Sequence, residues 1–276
     1  MMVSSKRKSK KDSFWEGMVL WNDSYLKKED GVINIGIDCN AKEVIVDFNK
    51  TNHIIVAGQV GSGKTVMIKS ILWQFILKND RVIAVDILHD GLELEEKYRK
   101  YCDLITEDEK LLKELEELLK ENQLRKDKLK AANCSDISEY NKNNSEKMKR
   151  VILGIDDMVG VFLNENETDS YLKIKILLSR LIQESMNTGI HVLIGLRREE
   201  MLDLLNEEII RCMPGVLCFF GGNNIFKNVD LELALINQSR MKIAGRALYQ
   251  NADGIQEVQG YLIEERYLVE LGYLDE

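Results

Sequence analysis

The chain predicts an α/β fold, a mostly parallel sheet flanked by helices with a β-hairpin at its amino-terminal end. Three observations predict it. Continuous apolar runs of buried-strand length recur at 53–57, 81–85, 151–155 and 190–196. Stretches with apolar residues at helical spacing separate them. And residues 32–48 alternate apolar and polar on either side of a short polar turn.

In chain order, Val32-Ile33-Asn34-Ile35-Gly36-Ile37-Asp38 and Glu43-Val44-Ile45-Val46-Asp47-Phe48 form the hairpin around Cys39-Asn40-Ala41-Lys42. The strand His53-Ile54-Ile55-Val56-Ala57 then runs into Gly58-Gln59-Val60-Gly61-Ser62-Gly63-Lys64-Thr65, which fits the whole G-x-x-x-x-G-K-[ST] phosphate-loop spacing. The glycines let backbone N–H groups wrap phosphates, and the helix that follows adds the positive end of its dipole. Residues Val66 to Leu77 carry that helix. Lys64 would sit on the β and γ phosphates, and the Thr65 hydroxyl would meet Mg2+. A nucleoside triphosphate, ATP, is therefore the first ligand to consider.

Beyond the loop, Arg81-Val82-Ile83-Ala84-Val85 is a strand with Asp86 at its carboxyl end, where α/β proteins keep ligand-facing residues. Residues 106–130 form an amphipathic helix with Leu111, Leu112, Leu115, Leu118 and Leu119 on one stripe and a solvated charged face. Residues 141–149 read as a surface loop. Val151-Ile152-Leu153-Gly154-Ile155 is a buried parallel strand with Asp156-Asp157 at its tip. A helix over 171–187, a strand over 190–196 before Arg197-Arg198, a strand over 216–220 and a closing hairpin, 246–249 with 256–262, complete the set.

Phosphoryl transfer asks a protein mainly for positioning and charge compensation. Asp156 would hold Mg2+, and Asp157 would polarise the attacking water, one methylene shorter than the glutamate commoner there. Arg197 and Arg198 either sense the γ-phosphate, reach a neighbouring subunit's nucleotide, or pair at the surface with Glu199 and Glu200. His191, inside an apolar strand, reads as a hydrogen-bonded core residue rather than a ligand.

Composition narrows the class. The 276 residues, 45% hydrophobic and 30% charged, suit a globular protein of one large or two small domains. No run approaches 18 apolar residues and no secretory core follows the first methionine, so a cytoplasmic chain is expected, tied to a membrane only through partners. Cys39, Cys102, Cys134, Cys212 and Cys218 are scattered, which supports neither a zinc site nor a disulfide framework. A net charge of −8 argues against a broad basic DNA-binding face but leaves room for a local basic strip inside an oligomeric channel. Lys6-Arg7-Lys8-Ser9-Lys10-Lys11 reads as a solvated cationic tail.

Taken together, the residues resemble the motor domain of the FtsK/SpoIIIE family of DNA-translocating ATPases, including the coupling proteins of conjugation. The phosphate loop, Asp86 with Glu93-Leu94, Gly189-Ile190-His191 and Gly245-Arg246 with Gln259 all carry the resemblance. More specific is Arg125 followed by Asp136-Ile137-Ser138-Glu139-Tyr140-Asn141, similar to the family's arginine-bearing helix and Ile-x-x-Tyr-Asn segment. The sequence departs at Asp157, where the family has glutamate, and at Leu196-Arg197-Arg198-Glu199, where it has Thr-Gln-Arg-Pro. It departs again after Pro214-Gly215, where Val216 and Leu217 replace the usual arginine. Arg211, Arg240 and Arg246 stand as substitutes for the arginine that acts in trans on a neighbouring subunit.

The resemblance implies a RecA-like phosphate-loop NTPase with a basic lead-in over 1–30, a motor domain over 31–265 and a tail over 266–276. It implies a homo-oligomeric ring, a hexamer, that drives double-stranded DNA during transfer of a plasmid or integrative element, beside a membrane-embedded partner. Two other readings stay open: a type VII secretion-like ATPase that exports protein, and a nucleotide-binding module with little hydrolysis.

Overall fold

Alternation along the central strands builds a core on each face of one sheet. Along β4 (Ile54–Ala57), Ile55 and Ala57 face one helical layer while Ile54 and Val56 face the other. Strand β5 (Arg81–Val85) divides in the same way, Ile83 and Val85 against Val82 and Ala84. The structure is a computed structural model that describes residues 14, 16–87, 101–156, 169–197, 207–221 and 242–263. Asp157, Arg198, Glu199, Glu200, Arg240, Glu93-Leu94 and the cationic run at 6–11 lie outside the described residues.

Helix α1 (Lys64–Leu77) covers one face with Met67, Ile68, Ile71, Leu72 and Phe75. The other face carries α2 (Asp108–Ala131) and α4 (Asp169–Glu184), whose Leu111, Leu115, Leu118, Ile174, Leu178 and Leu181 are buried. Gln74 of α1 is fully buried and behaves as an extra backbone unit. Its amide accepts from Asn34 N–H at 3.0 Å and donates to Asn34 O at 2.8 Å, tying the helix to β2 (Val32–Ile37).

The remaining strands are β1 (Val19–Leu20), β3 (Glu43–Asp47), β6 (Asp103–Ile105), β7 (Val151–Ile155), β8 (Ile190–Leu196), β9 (Gly215–Phe219), β10 (Arg246–Asn251) and β11 (Gly254–Leu262). All join one sheet in the order β3-β2-β11-β10-β9-β4-β8-β7-β5-β6, with β1 parallel to β11. From β9 to β6 the strands run parallel; the amino- and carboxyl-terminal hairpins extend them antiparallel. The sheet is thus mixed, and the two hairpins are neighbours through Gln259 and Ile37. The short strands β1 and β6, the short helix over 207–211 and α3 (Ile137–Asn143) lacked a clear periodic signal; α3 occupies the start of the expected loop at 141–149.

The amino-terminal ends of the central strands meet at a buried guanidinium. Arg150, 1% exposed and just before β7, forks onto Asp30 at 3.0 and 2.9 Å, and also donates to Ser138 Oγ and His191 Nε2. Arg125 of α2 closes the same end, donating to the carbonyls of Thr188 and Lys149 and pairing with Glu121. Asn141 clamps Met148 through both its N–H and its carbonyl.

Both described core histidines are neutral. His191 Nδ1 donates to Asn52 O while Nε2 accepts from Arg150, and burial first, with Arg150 next, holds its pKa well below the usual value. That is the core role its sequence context suggested. His53 Nδ1 accepts the Val192 N–H at 3.0 Å, and burial pushes its pKa down to about 4. Because the folded pKa lies below the unfolded one of 6.5, the unfolded chain takes up protons first as pH falls. Stability is complete above pH 6.5, and about 3 kcal/mol is lost as pH falls toward 4 from His53 alone. Urea titrations across this range should show the slope. The variant His53→Asn, which offers an acceptor without a proton equilibrium, should flatten that part of it.

Candidate nucleotide site

The carboxyl ends of β4, β7, β8 and β9 open onto one edge of the sheet. The loop Gly58–Thr65 leaves β4 there and is anchored on both sides by its neighbours: Gly58 N–H donates to Leu196 O at 3.1 Å, and Gln59 N–H to Phe220 O at 2.9 Å. Gln59, Val60 and Gly61 are exposed at the crest, whereas Ser62 and Lys64 are buried. Gly63 caps α1 at φ 100°, a left-handed conformation in which no side chain competes for the helix's first N–H groups. A Cβ on Gly63 would also fall 2.4 Å from Gly245 N, so the chain behind the loop packs directly on it. Gly245 N–H in turn donates to Ser62 O at 2.8 Å.

The decisive contact crosses the sheet. Thr65 Oγ1 donates to Asp156 Oδ2 at 2.8 Å, joining the first turn of α1 to the tip of β7. Strand β8 lies between β4 and β7, and its Gly195 makes the approach feasible: a Cβ there would stand 1.8 Å from the Asp156 carbonyl oxygen. Asp156 is 4% exposed and Asp86, at the end of β5, is 7% exposed. The paired hydroxyl and carboxylate are hard oxygen donors, the set that suits Mg2+ when most remaining ligands are phosphate and water. Among the described residues there is no cluster of three His, Cys, Asp or Glu that would hold a metal without a nucleotide.

Arg197 follows the residue whose carbonyl holds Gly58, which puts it beside the start of the loop, half-buried. Arg211 is exposed at the end of α5 (Glu207–Arg211). Arg246 corrects the sequence reading. It is fully buried, with its guanidinium 4.0 Å from the Phe14 ring, its Nε bonded to Gln259 and Glu257 3.6 Å away. It braces the interior and cannot reach another subunit. Gly195 was not marked by the sequence, because a glycine in a buried strand does not reveal whose backbone it admits.

Residues 20–208 match the FtsK/SpoIIIE family. The chain belongs to that family. It is 24% identical over 274 residues to the DNA translocase FtsK of Leptospira interrogans, covering 93% of this chain and 28% of that protein. It therefore spans under a third of the length of the curated relatives it matches first. Among solved structures, the pCW3 conjugation coupling protein TcpA, in its monomer form with ATPγS, superimposes with a TM-score of 0.79 at 26% identity, covering 93% of this chain and 74% of that one. The cytoplasmic domain of the Thermomonospora curvata type VII secretion ATPase EccC shares the fold at TM-score 0.63 and 17% identity, covering 90% of this chain and 28% of that one.

In this FtsK/SpoIIIE chain the phosphate loop and the acidic strand end meet across β8. Of the residues by which it departs from the family, Arg197 stands at the loop, while Asp157 and Glu199 lie outside the described residues. Gly195→Ala should displace Asp156 from Thr65 and lower ATP turnover about 10²-fold, on the scale of losing one charge-stabilising group, while circular dichroism still reports a folded chain. Turnover equal to wild type would show that the Thr65 contact does not depend on Gly195.

Proposed function

We propose that this chain is the motor of an ATP-dependent double-stranded DNA translocase acting in transfer of a plasmid or integrative element. The observation that carries the reading is the meeting of Thr65 and Asp156, which completes a phosphate loop and acid pair in one site. The likeness to a conjugation coupling protein supports DNA as cargo and conjugation as setting. FtsK/SpoIIIE membership supports the same cargo.

In this reading Gly58 to Thr65 wrap the triphosphate with backbone N–H groups, and Lys64 compensates charge on the β and γ oxygens. Thr65 and Asp156 hold Mg2+, which when bound neutralises negative charge developing on the transferred phosphoryl group. Asp157 orients the attacking water, and Arg197, the residue after the carbonyl that holds Gly58, senses the γ-phosphate. The subunits form a ring, a hexamer, in which nucleotide orders the boundary between neighbours and hydrolysis releases it. Loops lining the channel grip phosphates without reading sequence. The motor works on the cytoplasmic side, and a membrane-embedded partner supplies the pore. No helix among the described residues is long and apolar enough to cross a membrane.

Phosphate release measured with and without duplex DNA tests the reading. DNA should raise turnover, the increase should shrink steeply with added salt, and Lys64→Ala should abolish it. Turnover should also rise faster than linearly with protein concentration, because a ring-dependent site is populated by mass action. A rate indifferent to DNA at every salt concentration would remove DNA as cargo, and equal background rates from wild type and Lys64→Ala would remove the enzyme.

A further inference from the structure

At the end of the strands away from the phosphate loop lies a cleft of about 530 Å³, walled by the turn that closes α1, by α3, and by the segment 147–149 that leads into β7. Lysine dominates its charge: Lys78, Lys142, Lys147 and Lys149 line it beside two aspartates, Asp30 and Asp80, in a chain whose own net charge is −8. Both aspartates already serve the protein. Asp30 takes the fork of Arg150, and Asp80 accepts the Arg150 N–H at 2.9 Å. Three of the ammonium groups instead rest on neutral oxygens, Lys78 on Glu29 O at 2.6 Å, Lys149 on Asn79 Oδ1 at 3.0 Å and Lys147 on Asn141 O, which orients a charge without cancelling it. Lys142, Lys147 and Lys149 are exposed.

Resting on the reading of this chain as a DNA motor, we propose that the cleft grips the phosphodiester backbone of duplex DNA by charge, at the far end of β7 and about 20 Å from Asp156. Its chemistry selects that ligand. A small phosphate compound held specifically asks for donors fixed in direction, such as a guanidinium fork or convergent backbone N–H groups. Arg150, the guanidinium beneath the cleft, is spent on Asp30, Asn49, Ser138 and His191. What remains is lysine, a mobile point charge that attracts phosphate without setting its orientation. Among the described residues no aromatic ring lines the cleft, so bases have no stacking platform. Met148 is the one apolar side chain in that wall, which leaves little to insert among lipid chains. A recess lined mainly by one sign of charge concentrates the field, and a backbone ridge of closely spaced phosphates can meet several ammonium groups at once.

Fluorescence anisotropy of a labelled duplex with the whole chain, read across salt concentrations, tests the contact. Lys142→Ala with Lys147→Ala should weaken binding about tenfold at low salt and lower the magnitude of the log–log salt slope by about 2, about one for each lost phosphate contact. Lys142→Arg with Lys147→Arg should keep both affinity and slope, since charge alone is read, and circular dichroism should show the same fold in all three proteins. An unchanged slope in the alanine variant overturns the proposal, as does an arginine variant that loses as much as the alanine one. So does a loss seen only with vesicles of anionic phospholipid, or only with inorganic tripolyphosphate, while duplex binding is kept. If the wild type binds no duplex at any salt concentration, the DNA reading fails first and the cleft contact falls with it. If it binds duplex and the alanine variant matches it, the cleft contact fails alone.

Discussion

The hydroxyl of Thr65 meeting the carboxylate of Asp156 is the contact on which the rest of the site depends, and the sheet makes it difficult. Strands β4 and β7 are not neighbours; with β8 between them their axes lie about 10 Å apart, two strand spacings. Two turns leaving those strands would not touch unless something reached across. The reach comes from α1, which starts over the sheet edge immediately after the loop, and from β8 itself. Strand β8 holds the loop by the Leu196 carbonyl and admits the Asp156 backbone at Gly195. The spacer strand therefore sets the distance between phosphate cradle and acid as much as the two motif-bearing strands do.

Strand position along its own axis must also be fixed, and that is settled at the other end of the sheet. Arg150 stands at the foot of β7, with Asp156 about 20 Å further along the same extended segment. Its planar fork meets Asp30 ahead of β2, Ser138 of α3 and His191 of β8. A buried ion pair adds little net stability over apolar packing, because desolvation offsets attraction. What the fork supplies is geometric: its donors match these acceptors only when β2, β7, β8 and α3 are in register. We read Arg150, and Arg125 with its two carbonyl contacts, as positioning groups that fix where Asp156 emerges.

Much of this was legible because the chemistry demands particular residue types at fixed spacing, and because strands buried on both faces must be apolar throughout. The phosphate loop, Asp156 and the central strands belong to that class. The edge strand β6 escaped because three residues with Asp103 among them show no alternation. Helix α3 escaped because Ile137 is its only buried residue, although Asp136 capping the Glu139 N–H, with the Glu139 carboxylate accepting from Ser135 just before the cap, gave a helix-start pattern that could have revealed it. The union of the two terminal hairpins was out of reach for a different reason: Gly36 pairs with Gly260 across most of the chain, and no local pattern encodes a partner so distant.

Arg246 shows how a motif can be recognised and its role still misread. Next to Gly245 and opposite Gln259, it invited comparison with arginines that act between subunits. Its full burial and its ties to Phe14, Glu257 and Gln259 place it behind the loop instead. Gly245 presses on Ser62, Gly260 presses on Gly245, and Gln259 holds Gly17, so the back of the phosphate loop is continuous with β10, β11 and the lead-in to β1. The α2 and α4 layer packs on the face of the sheet opposite α1. A change of loop shape on nucleotide exchange would therefore pass first to the hairpin and the lead-in, which carry the exposed Met18, Leu20 and Leu262. In the ring proposed above that is the useful direction, since only a displacement that arrives at an exposed surface can be handed to a neighbour.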